Sequence, residues 1–192
     1  MMINPDAPAH FRRQSARFST VVESVSPEAL GLPSPCEGWT VRDVVVHVID
    51  TERDLLGRMP FGPSTLSVTA QPDTATHLVE AWHHVRNAMQ AALDNPETVG
   101  HEYDGYFGPT TFAETVDTFY SGDLLVHGWD VARGAGLTDL EALDPDDMRR
   151  TKAMLEPLGD VLRSGGVYGA AVELSGNETE QQQFLAWTGR TA

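Results

Sequence analysis

A mainly α-helical protein, a four-helix bundle with a short C-terminal strand/helix appendage, is the fold class this sequence predicts. Three observations predict it. Apolar residues recur at helical spacing in four long stretches. Capping-box pairs open two of those stretches. Clusters of proline and glycine separate them, and no repeat, low-complexity tract or long linker divides the 192 residues. The expectation is therefore one domain spanning residues 1–192.

The elements follow in order. A first helix is expected from about Ala9 to Val25. It is stopped by SPEALGLPSPCEG, whose three prolines and two glycines cannot continue it. The second opens at Thr40, an N-cap with Asp43 as its capping-box partner, and Trp39 and Val44 sit at staple spacing. Val41, Val44, Val45, Val48, Leu55 and Leu56 then mark one face to about Met59; the valines also suit a strand, but the length and the cap favour a helix. A loop with Pro60, Gly62, Pro63 and Pro72 comes next. Leu78, Trp82, Val85, Met89 and Ala92 trace the third helix, which ends near Asn95-Pro96. HEYDGYFGPTT reads as a short hairpin around Gly105 and Gly108. Thr111 with Glu114 caps a fourth helix running to about Arg133, where Gly134 and Gly136 end it. A fifth covers roughly Pro145 to Leu162. The tail adds a short strand at Ala171–Leu174 and a final turn or two at Glu180–Trp187.

Charge and cysteine content narrow the function classes. With 28 acidic against 13 basic side chains the net charge is −15, a field that repels nucleic acid. The lone cysteine, Cys36, cannot form an intramolecular disulfide, so nothing demands an oxidising compartment. The opening residues lack an apolar signal core, and no stretch approaches 18 uninterrupted apolar residues. The expected address is the cytoplasm, with no membrane partner.

The chemistry concentrates in the fourth helix. On an unbroken α-helix, Phe112, Val116, Phe119 and Val126 fall in one stripe, with Asp123 at its centre and His127 one turn further on. An unpaired carboxylate in a core-facing stripe would cost several kcal/mol or take up a proton, on the order of the penalty for burying any bare charge. A divalent metal ion removes that penalty, and Asp and His at i and i+4 can reach one ion together. The second helix offers His47 as a third ligand. RDVVVH and GDLLVH each place Asp four residues before His, but Asp43 is already committed to its cap. The expected metal site is therefore His47, Asp123 and His127, with open positions for water or a ligand. Zinc is the leading ion for this donor set, and nickel, iron(II) or manganese also suit it. The bland alternative is an Asp123–His127 hydrogen bond of purely structural use.

Other residues carry less. Asp130 points along the inward stripe, either as a hydrogen-bond partner of a ligand histidine or as a helix-end pair with Arg133. Glu52 lies on the apolar side of the second helix without an evident partner. His83 and His84 fall away from the third helix's apolar face, and His10, His77 and His101 lie near element ends or in loops without a partner at ligand spacing. Cys36 reads as a small packed residue with no basic sequence neighbour to activate it.

PSPCEGWTVRDVVVHV and DLLVHGWDVARGAG together resemble the DinB-like superfamily, and more narrowly the metal-binding domain of mycothiol-dependent maleylpyruvate isomerases and their short actinobacterial relatives. The tail VYGAAVELSGNETEQQQFLAWTGR is similar to the ends of those relatives. The resemblance implies a four-helix bundle whose metal is held by a histidine of the second helix and an acidic-x-x-x-His pair on a later one. By position these are His47, Asp123 and His127, with Asp123 in place of the glutamate of the best-known members. It also implies mycothiol or a similar small thiol as partner and a homodimer as one open assembly state. The full-length isomerase has a larger C-terminal domain, so isomerase activity does not carry over directly.

Two function classes follow. The first is a metal- and thiol-dependent transferase or isomerase, with Tyr106 or Phe107 flanking the substrate. The second is a metal-binding bundle without turnover, acting in stress-linked binding. An iron(II) oxygenase-like use of the ligand set ranks last.

Overall fold

Thr40 accepts a hydrogen bond from the Asp43 amide and Asp43 returns one to the Thr40 amide. This reciprocal cap starts helix α2 (Val41–Arg58) at the residue the sequence marks. The computed structural model describes residues 6–62, 74–164 and 168–192; the prolines at 63 and 72 that the sequence places in a loop lie outside them. Four long helical elements form the bundle: α1 (Ala7–Ser24), α2 (Val41–Arg58), α3 (Ala75–Asp94), and a chain of three segments. That chain runs through α4 (Phe112–Thr115), a π-helical turn (Val116–Tyr120) and α5 (Ser121–Gly134). α1 packs on α3 and α5, and α2 packs on the same two helices, so the order around the bundle is α1, α3, α2, α5.

The core between them is built from the stripes the sequence displays. Phe11 and Phe18 of α1, Val44, Val48 and Leu56 of α2, and Leu78, Trp82, Val85 and Met89 of α3 are all buried. Phe18 meets Trp82 edge to face, 4.7 Å between centroids, and the indole N–H donates to Ser19 Oγ at 2.8 Å. That pairing satisfies the one polar atom a buried tryptophan brings with it. Two glycines let α5 approach its neighbours closely. A Cβ on Gly128 would come within 2.8 Å of the Arg17 guanidinium, and one on Gly134 within 3.1 Å of the Pro33 carbonyl oxygen.

Between α3 and α4 lies the expected hairpin, β1 (Glu102–Gly105) against β2 (Gly108–Thr111), antiparallel, with Gly105 opposite Gly108. Tyr106 and Phe107 occupy its two-residue loop, and Gly108 takes the positive φ of 106° that closes it. Phe107 stacks on Phe119 at 5.4 Å.

Three expectations change. The fourth helix is not a uniform α-helix: the π-helical turn inserts a residue and rotates everything after it by about 100° relative to an unbroken helix. Phe119 therefore leaves the stripe of Phe112 and Val116 and packs with Leu155, Leu162 and Tyr168, while Val126 joins Leu125, Trp129, Phe184 and Leu185 on the outer side of α5. The fifth helix is not continuous either. α6 (Pro145–Leu155) gives way to a 3₁₀ turn (Glu156–Leu158) holding Pro157, then Gly159 at φ 50° before α7 (Asp160–Ser164). A proline and a positive φ cannot be accommodated inside one α-helix. Residues 171–174 form an irregular segment rather than a strand, tied by the Val172 amide to the Ala186 carbonyl at 3.0 Å. α8 (Glu180–Trp187) closes the appendage against α6.

The π turn also places Asp117 inside the protein. Its carboxylate accepts from His10 Nδ1 at 2.7 Å and from the Arg150 Nη2 at 2.8 Å to both oxygens. His10, which has no partner at ligand spacing in the sequence, is thus a buried residue of α1 locked to the π turn. Burial pushes the Asp117 carboxyl up, but the His10 and Arg150 hydrogen bonds outweigh it and hold the group below its ordinary value. A depressed folded-state pKa means stability that is present above about pH 4 and lost as pH falls through the folded value. Asp117→Asn is expected to lose about 3 kcal/mol at pH 7, as broken buried pairs do. Urea unfolding of both proteins at pH 7 and near pH 3 checks this, because the difference must shrink at the acid end.

Candidate metal centre

His47 lies nearly two turns into α2, so its position follows from where the Thr40 cap starts that helix. Asp123 and His127 stand one turn apart on α5, directly after the π turn. Packing of α2 on α5 brings the three together. His127 Nε2 is 3.3 Å from Asp123 Oδ1, and His47 Nε2 is 4.0 Å from Asp123 Oδ2. One donor atom from each residue lies within 4.8 Å of the other two.

The donor set fits a metal ion of zinc size. Ligands at 2.0–2.1 Å in a tetrahedron are separated from each other by about 3.3 Å. The Asp123–His127 spacing already has that value, and His47 at 4.0 Å from the other Asp123 oxygen needs a side-chain adjustment to join them. The rotation imposed by the π turn changes why Asp123 is available. It is not buried at the centre of the core stripe; its side chain is 30% exposed, beside His47 at 34%, with His127 behind them at 9%. The trio therefore opens to solvent on one side.

Electrostatics follow from this layout. Burial holds the His47 imidazole below its ordinary pKa, against the pull of Asp123. Burial acts to raise Asp123, but the His127 and His47 imidazoles outweigh it and the carboxyl ends below its usual range. His127 goes the other way: burial lowers it, yet Asp123 and Asp130 on either side drive it well above the ordinary histidine value. The second contact is at the far ring nitrogen, where His127 Nδ1 donates to Asp130 Oδ2 at 2.9 Å.

The family model for the mycothiol maleylpyruvate isomerase N-terminal domain matches residues 11–132, well over half the chain. The chain belongs to this family. Two uncharacterized proteins of Mycobacterium tuberculosis, one from strain H37Rv and one from strain CDC 1551, are each 28% identical over 151 residues. Those alignments cover 78% of this chain and 79% of each relative. No solved structure matches. The mainly α DinB-like bundle with its C-terminal appendage agrees with the family, and among the described residues no helix is long and apolar enough to cross a membrane.

In this member of the family, several residues find partners in space that sequence spacing does not give, while Asp130 bonds His127 as one of its two sequence readings had it. Asp130 is fully buried and is paired not with Arg133, which reaches Glu141 instead, but with Arg190 of the C-terminal tail. Cys36 has no basic neighbour in sequence but has one in space: Arg190 Nη2 is 3.6 Å from its Sγ, and the thiol donates to Asp130 Oδ2 at 3.2 Å. Arg190 carried no sequence signal, because its partners are 60 and 154 positions away. Trp39, placed at staple spacing to Val44, sets its ring 4.9 Å from that of His47. His83 bonds Glu23 at 2.7 Å on the surface.

Glu52 is the remaining carboxylate, on α2 beyond His47. It is 1% exposed, and neither oxygen has a hydrogen-bond partner among the described residues. Burial pushes its carboxyl well above the ordinary range, Asp123 adds to the push, and Arg86 opposes it. A raised folded-state pKa gives stability that is fully present below about pH 4 and is lost as pH rises through the folded value. Glu52→Gln removes the titration while keeping the shape. In metal-free protein it is expected to gain on wild type by on the order of 1–3 kcal/mol at pH 8, and by little at pH 4. Denaturant midpoints of the two proteins across that range are the measurement, and parallel curves would refute the assignment.

Proposed function

We propose that this protein binds a divalent metal ion, zinc foremost, through His47 Nε2, the Asp123 carboxylate and His127 Nε2, and uses it as a thiol-dependent transferase or isomerase. The observation that carries this reading is the convergence of the three donor atoms within 4.8 Å from two helices far apart in sequence. Membership of a mycothiol-associated family supports a small thiol as partner. A bound divalent ion lowers the pKa of a thiol or water placed on it and so presents a nucleophile at neutral pH.

The chain's own residues have separable roles. His47 and Asp123 form the accessible side of the site, and His127 forms its buried floor. Trp39, 37% exposed and against the His47 ring, supplies an apolar wall on the open side. The side-chain exposure of His47 and Asp123 favours an enzyme over a metal-binding bundle without turnover, because a small ligand can reach the ion. Tyr106 and Phe107, expected to flank a substrate, make their aromatic contacts with each other and with Phe119. We place the reaction in the cytoplasm and treat all 192 residues as one working domain.

Elemental analysis of protein purified without added metal tests the proposal. Wild type is expected to hold close to one zinc per chain, and His47→Ala and His127→Ala to hold almost none. Adding N-acetylcysteine to the cobalt-substituted protein should then produce a sulfur-to-cobalt charge-transfer band in the near ultraviolet. Wild-type protein that stays metal-free after reconstitution with zinc, nickel, iron(II) and manganese would remove the metal site; a loaded protein without the band would remove the thiol.

A further inference from the structure

The matched family domain ends at residue 132, yet the most heavily bonded group beside the site, the Asp130 carboxylate, is held by a residue 60 positions further on. Arg190 Nη2 donates to Asp130 Oδ2 at 2.9 Å and Nε donates to Oδ1 at 3.3 Å, a two-pronged grip on a side chain with no solvent exposure. The same Oδ2 accepts from His127 Nδ1 at 2.9 Å and from the Cys36 thiol at 3.2 Å. The guanidinium is itself nine-tenths buried, and its Nη1 is spent on the Thr188 carbonyl at 2.9 Å.

The tail is shaped to deliver this residue. α8 ends in a paired-hydrogen-bond turn: the Arg190 amide bonds the Leu185 carbonyl at 2.9 Å and the Gly189 amide bonds the Ala186 carbonyl at 3.0 Å. Gly189 sits at φ 87°, and a Cβ there would lie 3.0 Å from the Gly169 Cα and 3.1 Å from the Ala170 carbonyl oxygen. The left-handed backbone and the close approach both require glycine. Thr188, fully buried, bonds back to Leu185 and fixes the same turn.

We infer that the C-terminal tail is a working part of the metal site, with Arg190 as a positioning residue that pins Asp130 and, through it, His127. The inference rests on the reading of His47, Asp123 and His127 as metal ligands. An imidazole can offer Nε2 as a ligand only when its other nitrogen carries the proton, and a carboxylate at Nδ1 enforces that tautomer and the ring's orientation. Asp130 can do this only while its own charge is compensated and its direction fixed. The guanidinium does both, because its planar fork matches the two carboxylate oxygens. The family domain thus supplies the ligands, and the appendage beyond it holds one of them in register.

Zinc dissociation constants from chelator competition at one pH test this, with circular dichroism confirming the fold of each variant. Arg190→Ala is expected to weaken zinc binding about 10–100-fold, the usual loss when a ligand's hydrogen-bonded support is removed. Millimolar methylguanidinium is expected to restore much of that affinity to Arg190→Ala and none to Asp130→Ala, a rescue that a purely structural role would not show. Arg190→Lys, which keeps the charge without the fork, is expected to fall between wild type and Arg190→Ala, and it carries the measurement if the alanine variant does not fold. Zinc bound by wild type, lost in His47→Ala, but held by Arg190→Ala or Arg190→Lys within twofold of wild type overturns this inference alone. Wild-type protein that binds no zinc overturns the metal reading and this inference together.

Discussion

A buried carboxylate that stays ionised must be met by donors, and meeting that requirement at Asp130 organises the region around the site. Asp130 has no solvent exposure, so its charge is tolerable only because a guanidinium, an imidazole and a thiol converge on it. Those donors come from the tail after α8, from the preceding turn of α5, and from the loop before α2. Each lies on a segment whose path is set by something else: the glycine turn at Gly189, the α5 helix, and the bridge between Pro33 and Thr40. Burial pushes Asp130 up, and its imidazole and guanidinium partners outweigh that push, so it stays ionised.

The π turn is the second constraint with wide consequences. One inserted residue divides the fourth helical element into two faces. Up to its first residue, Phe112 and Val116 join the bundle core. After it, Leu125, Val126 and Trp129 turn toward α6 and α8. Asp117 moves inside to meet His10 and Arg150, and Asp123 moves outward to an edge shared with His47. A π turn costs hydrogen-bond geometry, and such turns are often found at functional sites. Here it separates a structural carboxylate from a solvent-facing one six residues later.

Three acidic groups in this region therefore differ through surroundings alone. Asp130 is neutralised by paired cations and directs a histidine. Asp123 is half-open and lies between two imidazoles, which keep it ionised. Glu52 is sealed in without a hydrogen-bond partner among the described residues, and burial drives it toward the neutral form. Only Asp123 combines charge, access and histidine neighbours, and those properties are what a metal ligand needs. The bundle that carries these groups is the part of the chain matched by the mycothiol maleylpyruvate isomerase N-terminal domain.

The sequence by itself determined what depends on neighbours along the chain. The capping boxes at Thr40 and Thr111, the 3.6-residue stripes of α2 and α3, the hairpin around Gly105 and Gly108, and the i, i+4 spacing of Asp123 and His127 are all short-range. They are legible because cap, period and turn chemistry act over a few residues. His47 was legible as well, because the cap sets its place on α2 and the resemblance names the same position. Only the tertiary structure decided the rest. The π turn leaves no mark in the apolar period, and an unbroken helix drawn from the sequence put Asp123 in the core instead of at its edge. The irregular course of residues 171–174 reflects docking on α8 more than any local preference. The grip of Arg190 on Asp130, and the contact of both with Cys36, joins residues 60 to 154 positions apart, a separation across which no periodicity or spacing rule carries information.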